Sequence, residues 1–255
     1  LSEVVKPRRF RRGTAMLPSL FTTGNLFVGF WALIRAFHGA YAEAAPLIGW
    51  AIVLDMLDGR IARLTGTTSE FGGELDSLAD VISFGVAPAM LAYSWGLSTI
   101  PRAGWLAAFL FVVCGTLRLA RFNVQRHVVD GRYFVGMPIP AAAGQLAAIV
   151  YLVETPVSSK PVATLLLALV VCLGFLMVST LRYPSFKGLD LRRRRSYINV
   201  LGIALLFLLV AVQPQWVLLV TISLYTLSAP ALMLYGILRR RGSPPPPAVP
   251  ADQPV

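Results

Sequence analysis

An all-α, polytopic membrane fold is what this sequence predicts, and three observations predict it. The 255 residues are 56% hydrophobic and only 14% charged, a balance foreign to disordered chains and to ordinary soluble domains. The apolar residues gather into eight stretches near the roughly 20 residues that a bilayer core asks of a helix. The basic excess, formal net charge +11, falls largely on one side of those stretches once they are threaded back and forth.

The first stretch, 20–38, follows a basic segment over 1–19. Charge before apolarity resembles a secretory leader, but the apolar part is too long and has no small-residue cleavage site, so it reads as a retained first helix. Within 3–17, Val4, Val5, Phe10, Met16 and Leu17 alternate with Lys6, Arg8, Arg9, Arg11 and Arg12. That pattern suits an amphipathic segment lying on the membrane surface. The second and third stretches, 43–61 and 76–95, are joined by a polar, glycine-rich 64–75 that reads as a short turn. Then come 104–122, 138–155 (opened by Pro138 and Pro140, which a first helical turn accommodates), 162–182, 198–212 and 215–238. Only Gln213, Pro214 and Gln215 divide the last two, which implies a tight turn. Residues 242–255, with Pro244 to Pro247, cannot continue a helix and read as a disordered tail. A transmembrane domain over 20–241 is left to carry any chemistry.

Basic loops stay cytoplasmic. With both termini on that side, 20 of the 23 basic residues lie cytoplasmically, and only Arg35, Arg102 and Lys160 do not. The expectation is a multi-pass cell-membrane protein with cytoplasmic ends. Arg192 to Arg195 fit attraction to anionic head groups. Cys114 and Cys172 each lie in an apolar stretch and read as small hydrophobes. His38 and His127 are isolated, so no zinc constellation is expected, and no nucleic-acid partner either.

Four aspartates break the apolar pattern. Asp55 and Asp58 stand three apart near the end of the second stretch, and Asp76 and Asp80 stand four apart at the start of the third. Residues three or four apart share a helical face, and carboxylates at membrane depth are costly enough to mark a functional site. The reading places all four at one cytoplasmic interface, where their mutual repulsion calls for a hard divalent cation, Mg²⁺ or Mn²⁺.

The spacing D-x-x-D-G-x-x-A-R, eight residues, G-x-x-x-D-x-x-x-D is filled by Asp55, Asp58, Gly59, Ala62, Arg63, Gly72, Asp76 and Asp80. In this the chain resembles the CDP-alcohol phosphatidyltransferase family of membrane enzymes. The strings at 17–26, 74–88, 118–123 and 136–143 are most similar to the branch whose acceptor is serine. The resemblance implies a homodimer that moves a phosphatidyl group from CDP-diacylglycerol to L-serine and releases CMP. It also implies that Asp80 is the general base, with Asp55, Asp58 and Asp76 holding one or two cations against the pyrophosphate. Gly59 and Ala62 would let the cytidine approach the backbone, Arg63 would present its donor fork to phosphate, and Gly72 would let the turn close on the ligand. Arg118 and Arg121, three apart, are candidates for the serine carboxylate, with Arg126 a looser third; each serves positive-inside anchoring equally well. Thr22, Thr23 and Asn25 are expected to bond between helices rather than to nucleotide.

Two alternatives stay open at this stage. The acceptor is another alcohol, such as inositol phosphate, glycerol phosphate or choline, or the acids line a cation transporter. Transporters bind near the bilayer midplane between related halves, and the chain shows no second copy of the acidic pattern.

Overall fold

With no water to satisfy their amides, apolar segments of this length form helices. The computed structural model describes residues 16–65, 69–125, 133–184 and 196–241. The expected surface segment over most of 1–19, the tail 242–255, Arg126 and Arg192 to Arg195 lie outside them.

Helix α1 (Met16–Phe37) turns back through Gly39, at φ +72°, into α2 (Tyr41–Thr65). Next, α3 (Glu70–Asp80) runs through a π turn (Val81–Val86) into α4 (Ala87–Trp95), one continuous rod. A 3₁₀ turn (Leu97–Thr99) leads to α5 (Pro101–Gln125). Strand β1 (Tyr133–Val135) precedes α6 (Ile139–Leu152), α7 (Lys160–Val178) and strand β2 (Arg182–Pro184). Helices α8 (Ser196–Val212) and α9 (Pro214–Arg241) follow, parted by Gln213 alone. The two strands pair antiparallel, with Phe134 opposite Tyr183.

The third stretch starts earlier than the sequence suggests. Ser69 caps α3 by accepting from the Gly72 amide at 3.0 Å, so residues 70–75 are helix rather than turn. A serine N-cap satisfies one of the orphan amides of the first turn, and Phe71 and Leu75 carry the apolar character back to it. Gly72 therefore sits in that first turn, not in the connecting loop.

Among the described residues, five rods are long and apolar enough to cross a bilayer: Leu20–Phe37, Glu70–Trp95, Pro101–Val124, Lys160–Val178 and Pro214–Tyr235. Helices α6 and α8 are shorter, at 14 and 17 residues. Helix α2 has the length but carries Glu43, Asp55, Asp58, Arg60 and Arg63.

Helix α6 is the hub, packing on α2 and α9 and touching α4 and α7. Ala141, Ala142, Ala143 and Ala147 on α6, with Ala44, Ala45 and Ala51 on α2, are buried. Small side chains let helix backbones approach in lipid, where packing rather than water expulsion drives association. Phe84, Leu91, Phe111, Leu146, Leu173 and Met177 fill the remaining interior. Trp50, Trp105, Phe175 and Trp216 point outward, as hydrocarbon-facing side chains do. One end of the bundle is tied by Trp95, whose indole donates to the carbonyls of Val153 and Thr155 at 2.9 Å each. Thr99 adds a bond to the Val157 carbonyl at 2.8 Å. The acids lie at the other end of the α3–α4 rod.

Candidate active site

Asp55 and Asp58 ride the C-terminal half of α2, while Asp76 and Asp80 share the inward face of α3. The structure brings three of them together. Carboxylate oxygens of Asp55, Asp76 and Asp80 all lie within 4.8 Å of one another. Asp58 stands outside this trio, and the Thr22 hydroxyl on α1 donates to one of its oxygens. The expected interhelical role of Thr22 is thus present, and it turns the fourth acid toward α1. Asp58 Oδ1 and Asp80 Oδ1 are buried with no hydrogen-bond partner.

Three carboxylates this close repel. At an effective dielectric of about 20, unit charges 4.8 Å apart cost on the order of 3 kcal/mol per pair. A hard divalent cation reverses the sign. Oxygens bound octahedrally at about 2.1 Å stand roughly 2.9 to 4.2 Å apart, so small rotations bring this trio to cation spacing. The donor set is all oxygen, as Mg²⁺ and Mn²⁺ prefer. The residues fit such an ion.

The strings around the acids are fastened to them. Asn123 on α5 donates to Ser77 Oγ at 2.9 Å, and Ser77 Oγ donates to the Gly73 carbonyl at 3.0 Å, tying α5 to α3. Arg118, 7% exposed, lies within electrostatic reach of Asp80 and Tyr225 and stacks over Phe122 at 5.8 Å. Arg121 does something else. Its guanidinium donates to the carbonyls of Val135 (2.8 Å), Val178 (3.0 Å) and Ser179 (3.1 Å), stapling the α5 end to β1 and to the exit of α7. Gly136, at φ +80°, makes room there, since a Cβ would strike the Met177 carbonyl and Arg121 itself. The two arginines, one helical turn apart, therefore part company. Arg118 alone of the pair turns to the acids.

Gly59 is exposed beside Asp58. Ala62 and Arg63 lie on the helical backbone of α2, their side chains outside the described set.

Some of the site was not anticipated. Tyr225 on α9 lies beside Arg118 and packs on Tyr183, ring centroids 5.6 Å apart. Tyr183 donates to the Thr226 carbonyl at 3.2 Å; its burial, with Tyr225 alongside, pushes its phenol up to about 12, so it stays a donor. Gln145 on α6 bonds Ser223 and Thr226 on α9 at 3.1 and 3.2 Å. The signal was present as Thr221, Ser223, Tyr225, Thr226 and Ser228 inside one apolar span, since polar groups at that depth need partners.

Comparison with known proteins identifies the family of this chain. Residues 15–179 match the model of the CDP-alcohol phosphatidyltransferase family. A Helicobacter pylori protein named CDP-diacylglycerol–serine O-phosphatidyltransferase is 40% identical over 226 residues, covering 88% of this chain and 90% of that protein. A Bacillus subtilis protein of the same name is 39% identical over 172 residues, 67% of this chain and 91% of its own length. The Methanocaldococcus jannaschii protein of that name is 35% identical over 215 residues, 84% of this chain and 89% of its own.

Proposed function

The chain belongs to the CDP-alcohol phosphatidyltransferase family, and from that premise we propose that it moves a phosphatidyl group from CDP-diacylglycerol to the hydroxyl of L-serine. The products are phosphatidylserine and CMP. The observation that carries this reading is the convergence of Asp55, Asp76 and Asp80 from two helices, at positions of the family spacing. Relatives that share most of the chain carry the name of the serine enzyme.

Asp55, Asp76 and Asp80 would hold a divalent cation, Mg²⁺ or Mn²⁺, with Asp58 available to a second. When bound, such an ion neutralises charge on the pyrophosphate and eases departure of CMP. Asp80 takes the proton of the serine hydroxyl, a contribution worth roughly 10²–10⁴ in rate. The freed electron pair forms the new O–P bond, the bond from phosphorus to the CMP oxygen breaks, and its electrons leave with CMP. Gly59, Ala62 and Gly72 leave room for the nucleotide against the helix backbones, and Arg63 answers its phosphate.

Arg118 receives the serine carboxylate. With Arg121 occupied by three carbonyls, Arg118 is the buried cation beside Asp80 among the described residues. One cation suits a carboxylate better than the doubly charged phosphate of inositol phosphate or glycerol phosphate. The positive-inside rule supports a site open to the cytoplasm, and the family resemblance supports a homodimer as the working unit.

The test is release of CMP from CDP-diacylglycerol with serine, inositol phosphate, glycerol phosphate and choline in turn, with and without chelator. Serine supports turnover and chelator abolishes it. Turnover with another alcohol but not with serine refutes the acceptor, and no CMP release with any of them refutes the reaction.

A further inference from the structure

We propose that Asn25 orients Asp80: in the working enzyme its side-chain amide donates to Asp80 Oδ1, so that the other oxygen faces the acceptor hydroxyl. This rests on the phosphatidyl-transfer reading above, in which Asp80 is the base.

Asn25 lies in the middle of α1, fully buried, and neither its amide nitrogen nor its amide oxygen has a hydrogen-bond partner. Asp80 Oδ1 is also buried and unpartnered. The Asn25 amide lies near enough for its dipole to act on that carboxylate. Buried polar atoms are almost always paired. With Ser83, three residues past Asp80, bonded to the Asn25 carbonyl, an orphaned donor and an orphaned acceptor on these two helices point to a bond between them.

The backbone around Asn25 is built to hold this position. Ser83 Oγ donates to the Asn25 main-chain oxygen at 3.1 Å, and Ser83 is itself fully buried. One turn along α1, Gly29 faces the same serine. A Cβ there would strike the Ser83 hydroxyl and come to 2.7 Å from its Cα, so a larger residue forces α1 away from the rod. Ser83 belongs to the π turn that opens directly after Asp80, where the Ala87 amide reaches back to the Ile82 carbonyl. Such turns insert an extra residue and gather at functional sites. Here the rod presents Asp76 and Asp80 to α2 and, within the next turn, Ser83 to α1. The Ser83 bond and the close fit of Gly29 thus hold α1 against the rod one turn from Asp80.

Asn25→Ala, Asn25→Ser, Asn25→Gln and Gly29→Ala, as full chains in detergent, test the proposal. One readout needs no turnover: the carboxylate bands of Asp80 are isolated as the infrared difference between each protein and its Asp80→Asn counterpart. Those bands shift in Asn25→Ala and Asn25→Ser. The second readout is a kinetic split, in which kcat falls roughly 10- to 100-fold, as loss of a hydrogen bond to a charged group implies. KM for both substrates and CDP affinity measured with Mn²⁺ stay within about threefold. Gly29→Ala gives the same split without touching the amide, and Asn25→Gln recovers part of kcat. Unchanged Asp80 bands, or kcat within about threefold in both Asn25→Ala and Asn25→Ser, overturns the proposal. So does a loss expressed wholly as weaker CDP binding, because Asn25 is then a nucleotide contact. If the wild type releases no CMP with any alcohol, the reaction is refuted, while the infrared comparison still decides the Asn25–Asp80 bond.

Discussion

The Thr22 hydroxyl on α1 donates to the Asp58 carboxylate on α2, next to the close trio of Asp55, Asp76 and Asp80. Both residues are buried, at 3% and 5% exposure, and the other Asp58 oxygen has no partner. Removing the hydroxyl leaves a buried carboxylate with neither oxygen satisfied. Thr22→Val is expected to cost about 1–3 kcal/mol of stability, seen as a lower Tm in detergent. Thr22→Ser keeps the donor and stays near the wild-type Tm.

Asp80→Asn removes the proton acceptor and keeps the shape. Turnover should fall by roughly 10²–10⁴, while CDP binding in the presence of Mn²⁺, followed by calorimetry, persists. Near-normal CMP release from this variant would remove Asp80 from the role of base.

Arg118 and Arg121 should separate cleanly. Arg118→Gln loses a charge-assisted contact to the acceptor carboxylate worth about 1.5–3 kcal/mol. It therefore raises the KM for serine roughly 10- to 100-fold and leaves the KM for CDP-diacylglycerol near that of wild type. Equal changes in both constants would assign Arg118 to anchoring or packing.

Arg121→Ala removes donors to the carbonyls of Val135, Val178 and Ser179. Hydrogen bonds from a charged donor are strong and the carbonyls are left behind, so the expected loss is about 3 kcal/mol or more. It appears as a lower Tm, with the serine KM of the surviving enzyme little changed. Arg121→Lys is a poor substitute, because one ammonium cannot reproduce the planar fork.

How far the sequence speaks differs by residue. Asp55, Asp76 and Asp80 were legible because spacing along a helix fixes a face, and two adjacent helices joined by a short connection must meet at one depth. Asp58 shared that logic, but its bond to Thr22 depends on how α1 is rotated against α2, which no local pattern encodes. The start of α3 was obscured because Ser69, Gly72 and Gly73 look like loop, whereas the serine is a cap. The π turn left no mark at all, since it follows from the fit of Ser83 against Asn25 and Gly29. Arg118 and Arg121 were indistinguishable until the α7 exit folded back to offer carbonyls to one of them. Tyr225 lay hidden in the hydropathy of α9.

Anomalous scattering from Mn²⁺ in crystals of the CDP-bound protein shows whether Asp55, Asp76 and Asp80 jointly grip one divalent cation. A peak is expected about 2.0 to 2.3 Å from an oxygen of each of the three carboxylates, lost in Asp76→Asn. A peak elsewhere, or none at a Mn²⁺ concentration that supports CMP release, contradicts it.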